Sequence, residues 1–132
     1  MKTRALLFSL LAIQSVAVFS KDSQTGYSTC PVLTFDQAVR QNVAYGEVST
    51  SALLKHAKTK VKPETPASCK CAGRVKVEVK IESGRVVCAT ALDGPQPLQE
   101  AAVRAAMQWQ FSTDSNFSDV VGVLVFDFKK NN

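Results

Sequence analysis

The stretch Arg74–Glu82, RVKVEVKIE, alternates without a break. Val75, Val77, Val79 and Ile81 fall on one face. Lys76, Glu78, Lys80 and Glu82 fall on the other. A period of two over this length is the pattern of a β-strand with one buried and one wet face. Ser83-Gly84 follows at once and then RVVCATAL. A two-residue turn in which glycine supplies a positive φ makes this a hairpin. A strict register puts Val86, Cys88 and Thr90 on the buried face, whereas a bulge puts Ala89 and Ala91 there. The sequence leaves both open.

The hairpin sets what the rest must do, because its valine face needs a cover. DGPQP, Asp93–Pro97, breaks the second strand, and Pro97 suits the first turn of a helix. Along that helix Leu98, Ala101 or Ala102, Ala105 and Trp109 form one apolar stripe, while Glu100, Arg104 and Gln108 face water. The alanines allow close approach to the sheet. Trp109 and Phe111 fill the space where the helix ends. DVVGVLVFDF, Asp119–Phe128, is a third strand. Val121, Val123 and Val125 alternate with Gly122, Leu124 and Phe126, so both faces read as apolar. The expected fold is α+β: a small antiparallel three-stranded sheet in β-β-α-β order, packed on one main helix.

Upstream the signals are weaker. Met1–Arg4 is a basic start and Ala5–Phe19 an apolar run too short for a bilayer span. Small residues suited to cleavage follow, so residues 1–20 read as a signal peptide. Cleavage leaves no stable membrane anchor. Thr34 with Gln37 three residues on gives a capping box and a short helix over about Phe35–Val43. STSALLKHA reads as a second short helix or a strand, capped by Ser49 or Ser51. Pro63 and Pro66 keep the next segment extended. The division is a signal peptide (1–20), a short helical N-terminal extension (21–61) and the domain proper (62–132).

Four cysteines, Cys30, Cys69, Cys71 and Cys88, fit an exported chain with two disulfides. A bridge across the single residue between Cys69 and Cys71 reads as strained, so each is expected to pair elsewhere. The C-x-C pair lacks a second close pair of ligands, so no metal and no other cofactor is expected. His56 is the sole histidine and stands in a lysine-rich run, and no nucleotide loop or nucleophile motif occurs. The chain reads as a non-enzyme. The formal charge of +5 falls by two on cleavage, and no dense basic stripe interleaves with aromatics. Nucleic acid is not expected as a partner. Lys55–Lys62 reads as a solvated face.

Taken together, Val75–Ile81, Gly84-Arg85-Val86, Asp93–Pro97, Leu98 with Ala101-Ala102, Trp109 with Phe111, and Val121 through Phe128 resemble the TonB C-terminal domain in order and spacing. The likeness runs from Lys62 to Phe128. Pro63-Glu64-Thr65-Pro66 stands where that family commonly has P-x-Y-P, with Thr in place of Tyr. The resemblance implies a periplasmic or secreted protein-binding module linked to outer-membrane transport. It would recognise an extended, TonB-box-like segment of an outer-membrane receptor by β-strand addition. The residues implied are Val121, Val123, Val125 and Phe126, with Pro63 and Pro66 beside them. The chain has neither a long Pro-rich spacer nor a histidine in its apolar start, so the resemblance does not extend to energy transduction. Two other readings use the same fold: a secreted, disulfide-stabilised inhibitor or ligand-binding module working through its N-terminal half, and a homodimer formed through sheet edges.

Overall fold

The computed structural model describes residues 26–31, 45–114 and 117–130. The expected signal peptide and the helix over Phe35–Val43 lie outside these residues. In chain order the elements are β1 (Gly46–Glu47), α1 (Thr50–His56), β2 (Ala57–Thr59), β3 (Gly73–Glu82), β4 (Arg85–Asp93), α2 (Gln96–Met107), β5 (Gln110–Phe111) and β6 (Val120–Phe128).

β3 is the centre of the sheet. It pairs antiparallel with β4 on one side and, from Gly73 opposite Phe128 to Ile81 opposite Val120, with β6 on the other. Val75, Val77, Val79 and Ile81 are fully buried, each worth about 1.5–3 kcal/mol of apolar burial. Ser83 and Gly84 both have positive φ, 50° and 77°, as the tight hairpin turn requires. The register then slips between Lys80 and Ile81. Val86, Ala89 and Ala91 join the core, and Cys88 sits opposite Lys80 on the outer face. The bulge therefore decides the parity that alternation left open.

α2 covers the inner face through Leu98, Ala102, Ala105 and Ala106, all buried. Pro97 stands in its first turn, where a missing N–H costs nothing. An aromatic chain continues from the helix end. Trp109 meets Phe126 edge-on at 5.9 Å and Phe111 at 6.1 Å. Phe111 meets Phe117 at 5.7 Å, and Phe117 stacks on His56 at 4.5 Å.

The three-stranded sheet on one main helix is incorrect. The sheet has six strands in the order β1-β6-β3-β4-β5-β2, is mixed because β1 runs parallel to β6, and curls into a half-barrel with two helices among the described residues. The missing strands are two or three residues long, too short to show a period. Residues 46–59, read as part of a helical extension, supply both outermost strands. Their linkage explains the curl. A flat six-stranded sheet would hold its outer strands about 24 Å apart at ~4.8 Å per step. Val48, Ser49 and the seven-residue α1 reach about 17 Å at most. The edges must bend toward one another.

α1 is capped by Ser49, whose hydroxyl accepts the Ala52 N–H at 3.2 Å. Its Leu53 is fully buried and lies over Gly122. A Cβ at 122 would meet Leu53 Cδ1 at 2.8 Å and the Val48 carbonyl at 3.0 Å.

A segment upstream seals the far edge of β4. Thr29 N–H donates to the Ala89 carbonyl at 2.9 Å, and Ala91 N–H to the Tyr27 carbonyl at 2.8 Å. Cys30 is bonded to Cys88 with Cα atoms 4.8 Å apart. That leaves Cys69 and Cys71, whose Cα atoms stand 5.1 Å apart, inside the span a disulfide bridges. With Cys30 and Cys88 joined, each has only the other left among the four cysteines. This corrects the expectation that each pairs elsewhere: the segment kinks between the two cysteines, and Cys88 is already taken.

Two outcomes follow from this packing. Gly122→Val should lower stability by about 1–3 kcal/mol through overpacking against Leu53 and Val48, read from the urea midpoint, and the loss should shrink in a Leu53→Ala background. Replacing Cys30 and Cys88 by alanine should cost about 4 kcal/mol, whereas the same change at Cys69 and Cys71 should cost about 2 kcal/mol or less, because loop entropy grows with loop length. Equal midpoints for the two cysteine variants would contradict the pairing.

Candidate functional site

The parity of β6 divides its two edges. The carbonyls of Asp119 and Val121 accept the N–H groups of Gly46 and Val48, each at 2.9 Å. The Val123 carbonyl accepts the Thr50 hydroxyl at 2.7 Å. Odd-numbered residues therefore point their backbone groups away from β3, and even-numbered residues bond to it. By the same alternation Val125 and Asp127 present N–H and C=O to the outer edge. Among the described residues none bonds to them there.

This open half-edge borders a groove of about 500 Å³. One bank is Val125–Lys129. The other is the extended segment Lys60–Pro63 with Thr65, and Trp109 lies at its floor. Trp109 Nε1 donates to the Val61 carbonyl of this segment at 2.9 Å. Trp109 is itself fixed by Phe126 and Phe111, so the opposite bank hangs from a rigid core residue. The two prolines keep this bank extended, with fixed φ and no N–H of their own to donate.

The six residues read from the sequence take different places. Val121 and Val123 lie on β6 where β1 and α1 already occupy the edge. Their side chains point to the outer face and are half-buried. Val125 is on the open half and 40% exposed. Phe126 pairs with Val75 through its backbone and turns its ring into the core, so it shapes the groove from beneath. Pro63 lines the groove. Pro66 lines a second groove of about 610 Å³, between the same segment and the polar side of α2. Sequence reasoning missed Lys60, Lys62 and Lys129 as groove residues and Trp109 as their anchor. Lys60 and Lys62 were visible in a basic run, but only the placement of the segment after β2 across a groove from the end of β6 shows what they and Lys129 border.

On the outer face, Arg74 Nε lies 2.8 Å from the Asp127 carboxylate. Lys76 stands opposite Val125 on β3. Further along, Tyr45 donates its hydroxyl to the Glu82 carboxylate, and the Lys80 ammonium lies 5.6 Å from its ring. These contacts hold the chain entering β1 against β3. Among the described residues no group of three or more His, Cys, Asp or Glu side chains converges, and no helix is long and apolar enough to cross a membrane.

Comparison with protein-family models, curated proteins and solved structures gave no match.

The Tyr45 contact predicts a titration. Its phenol is pushed up to about 12, first because ionisation would forfeit the hydrogen bond to Glu82, then through burial and the nearby negative charges. A raised pKa means that the interaction is intact below the unfolded value of about 10 and is lost as pH climbs through the folded one. In a Tyr27→Phe background, ultraviolet titration should place Tyr45 near that raised value. Glu82→Gln should bring it back toward 10. An unchanged titration would remove this anchor.

Proposed function

We propose that the protein is an exported binding module, not an enzyme, that takes up an extended segment of a partner protein by adding it as a strand beside Val125–Phe128. The observation that carries this reading is the outward N–H and C=O of Val125 and Asp127, left without a described partner and facing a groove. An edge with unpaired backbone groups is a template for another strand. The opposite edge of the hairpin, at β4, is sealed by residues 27–29 and β5, so the exception at β6 stands out. The likeness of residues 62–128 to the TonB C-terminal domain supports the same reading, since such domains accept receptor segments at a sheet edge. The apolar start and the cysteines support export.

The test uses the oxidised chain from Lys21 and an extended peptide of alternating Val and Thr. Amide shifts should concentrate at Val123–Lys129. The peptide N-methylated on alternate residues should lose binding, because it lacks the donors the edge requires. Val125→Pro should abolish the shifts while leaving the fold intact, since the lost N–H faces outward and not toward β3. Shifts elsewhere, or binding indifferent to N-methylation, would overturn the proposal.

A further inference from the structure

We infer that the segment this edge accepts is acidic; the inference rests on the strand-addition reading and names its ligand class. Lys60 and Lys62 stand on one bank of the groove and Lys129 at the end of the other. Lys76 lies across from Val125 on the outer face. All four are exposed. Among the groove residues the acid is Asp127, whose carboxylate is held by Arg74; on the outer face Asp93 stands opposite Lys76 on β4, so Lys60, Lys62 and Lys129 carry most of the positive field. A strand laid beside Val125–Phe128 would alternate its side chains between the Lys60–Lys62 bank and the outer face near Lys76. Carboxylates at either parity would meet an ammonium group. Lysines at either parity would meet repulsion, since like charges directly across strands are unfavourable.

The same charges argue for a different protein as occupant, and not a second copy. An isologous pair through this edge would set Lys60, Lys62 and Lys129 of one chain against those of the other. The cations also line a recess, not a flat face. A strand enters such a recess; a bilayer surface does not.

The experiment compares two peptides of equal length with valine at every second position, one carrying glutamate and the other lysine between them. Each is titrated into the full mature chain while backbone amides are followed. The acidic peptide should bind about tenfold more tightly at low salt, and the ratio should shrink toward one near 1 M salt, where charges are screened beyond ~3 Å. The triple variant Lys60→Glu, Lys62→Glu, Lys129→Glu changes exposed side chains only and should reverse the order. Equal affinities with shifts still at Val123–Lys129 would overturn the charge inference and leave strand addition standing. No shifts with either peptide would overturn both. Shifts of the same amides by phosphatidylglycerol vesicles, with none from the acidic peptide, would assign the lysines to a membrane surface and overturn the inference as well.

Discussion

Leu53 sits where the two ends of the sheet come together. β1 and β2 are the outermost strands, yet only Val48, Ser49 and α1 separate them in the chain. A helix this short is marginal on its own. It persists because Ser49 caps it and because Leu53 drops into the space over Gly122, where the absence of a side chain makes room for Leu53 and the Val48 carbonyl. Once α1 is seated, the curl follows from chain length. The curl in turn gathers Phe126, Trp109, Phe111, Phe117 and His56 into one line of rings across the concave side. Without it those aromatics would be spread over a flat face that α2 alone is too small to cover.

Curling also disposes of most of the exposed edge. A closed barrel has no edges, and a half-barrel must protect those it keeps. Here separate devices cover the exposed sides of β4 and the first half of β6. β5 pairs with β4 at the hairpin turn, where the Phe111 N–H reaches the Gly84 carbonyl at 2.8 Å. Residues 27–29 pair with the next part of β4, and the bond from Cys30 to Cys88 keeps them there. β1 and Thr50 occupy the first half of β6. Of the two halves of β6, the second lacks a described partner on this side, and it is the half that faces a lysine-lined groove.

Much of this was written in period-two alternation and some of it was not. RVKVEVKIE places β3 and its buried face without ambiguity, and Pro97 with the alanine stripe places α2. Alternation cannot count a bulge, so the facing of Cys88 waited on the register slip beside Lys80. It also has nothing to say about strands of two or three residues, which form because a neighbour offers hydrogen bonds and not because their side chains demand a face. That is why β1, β2 and β5 escaped notice, and the half-barrel with them. The cysteines mislead for a related reason. The strain of a C-x-C bridge is a local argument, whereas Cys88 is claimed by Cys30 through the pairing of a segment 58 residues away. At the site, β6 was legible as an apolar strand, but which half of it stayed open depended on where α1 docked.

The shortness of the open edge decides what kind of recognition it can support. Val125 and Asp127 together offer two donors and two acceptors. At about 0.5–1.5 kcal/mol net for each hydrogen bond, the backbone contributes roughly 2–6 kcal/mol. Lost translational and rotational freedom costs an estimated ~4–15 kcal/mol on association. Backbone pairing by itself therefore yields weak binding to any extended chain, which keeps such an edge from holding every strand it meets. A lasting complex needs apolar side chains that reach the floor made by Trp109, and charges that answer Lys60, Lys62 and Lys129. In the proposed complex the hydrogen bonds would set the direction and register of the added strand, and the groove would decide which strand stays.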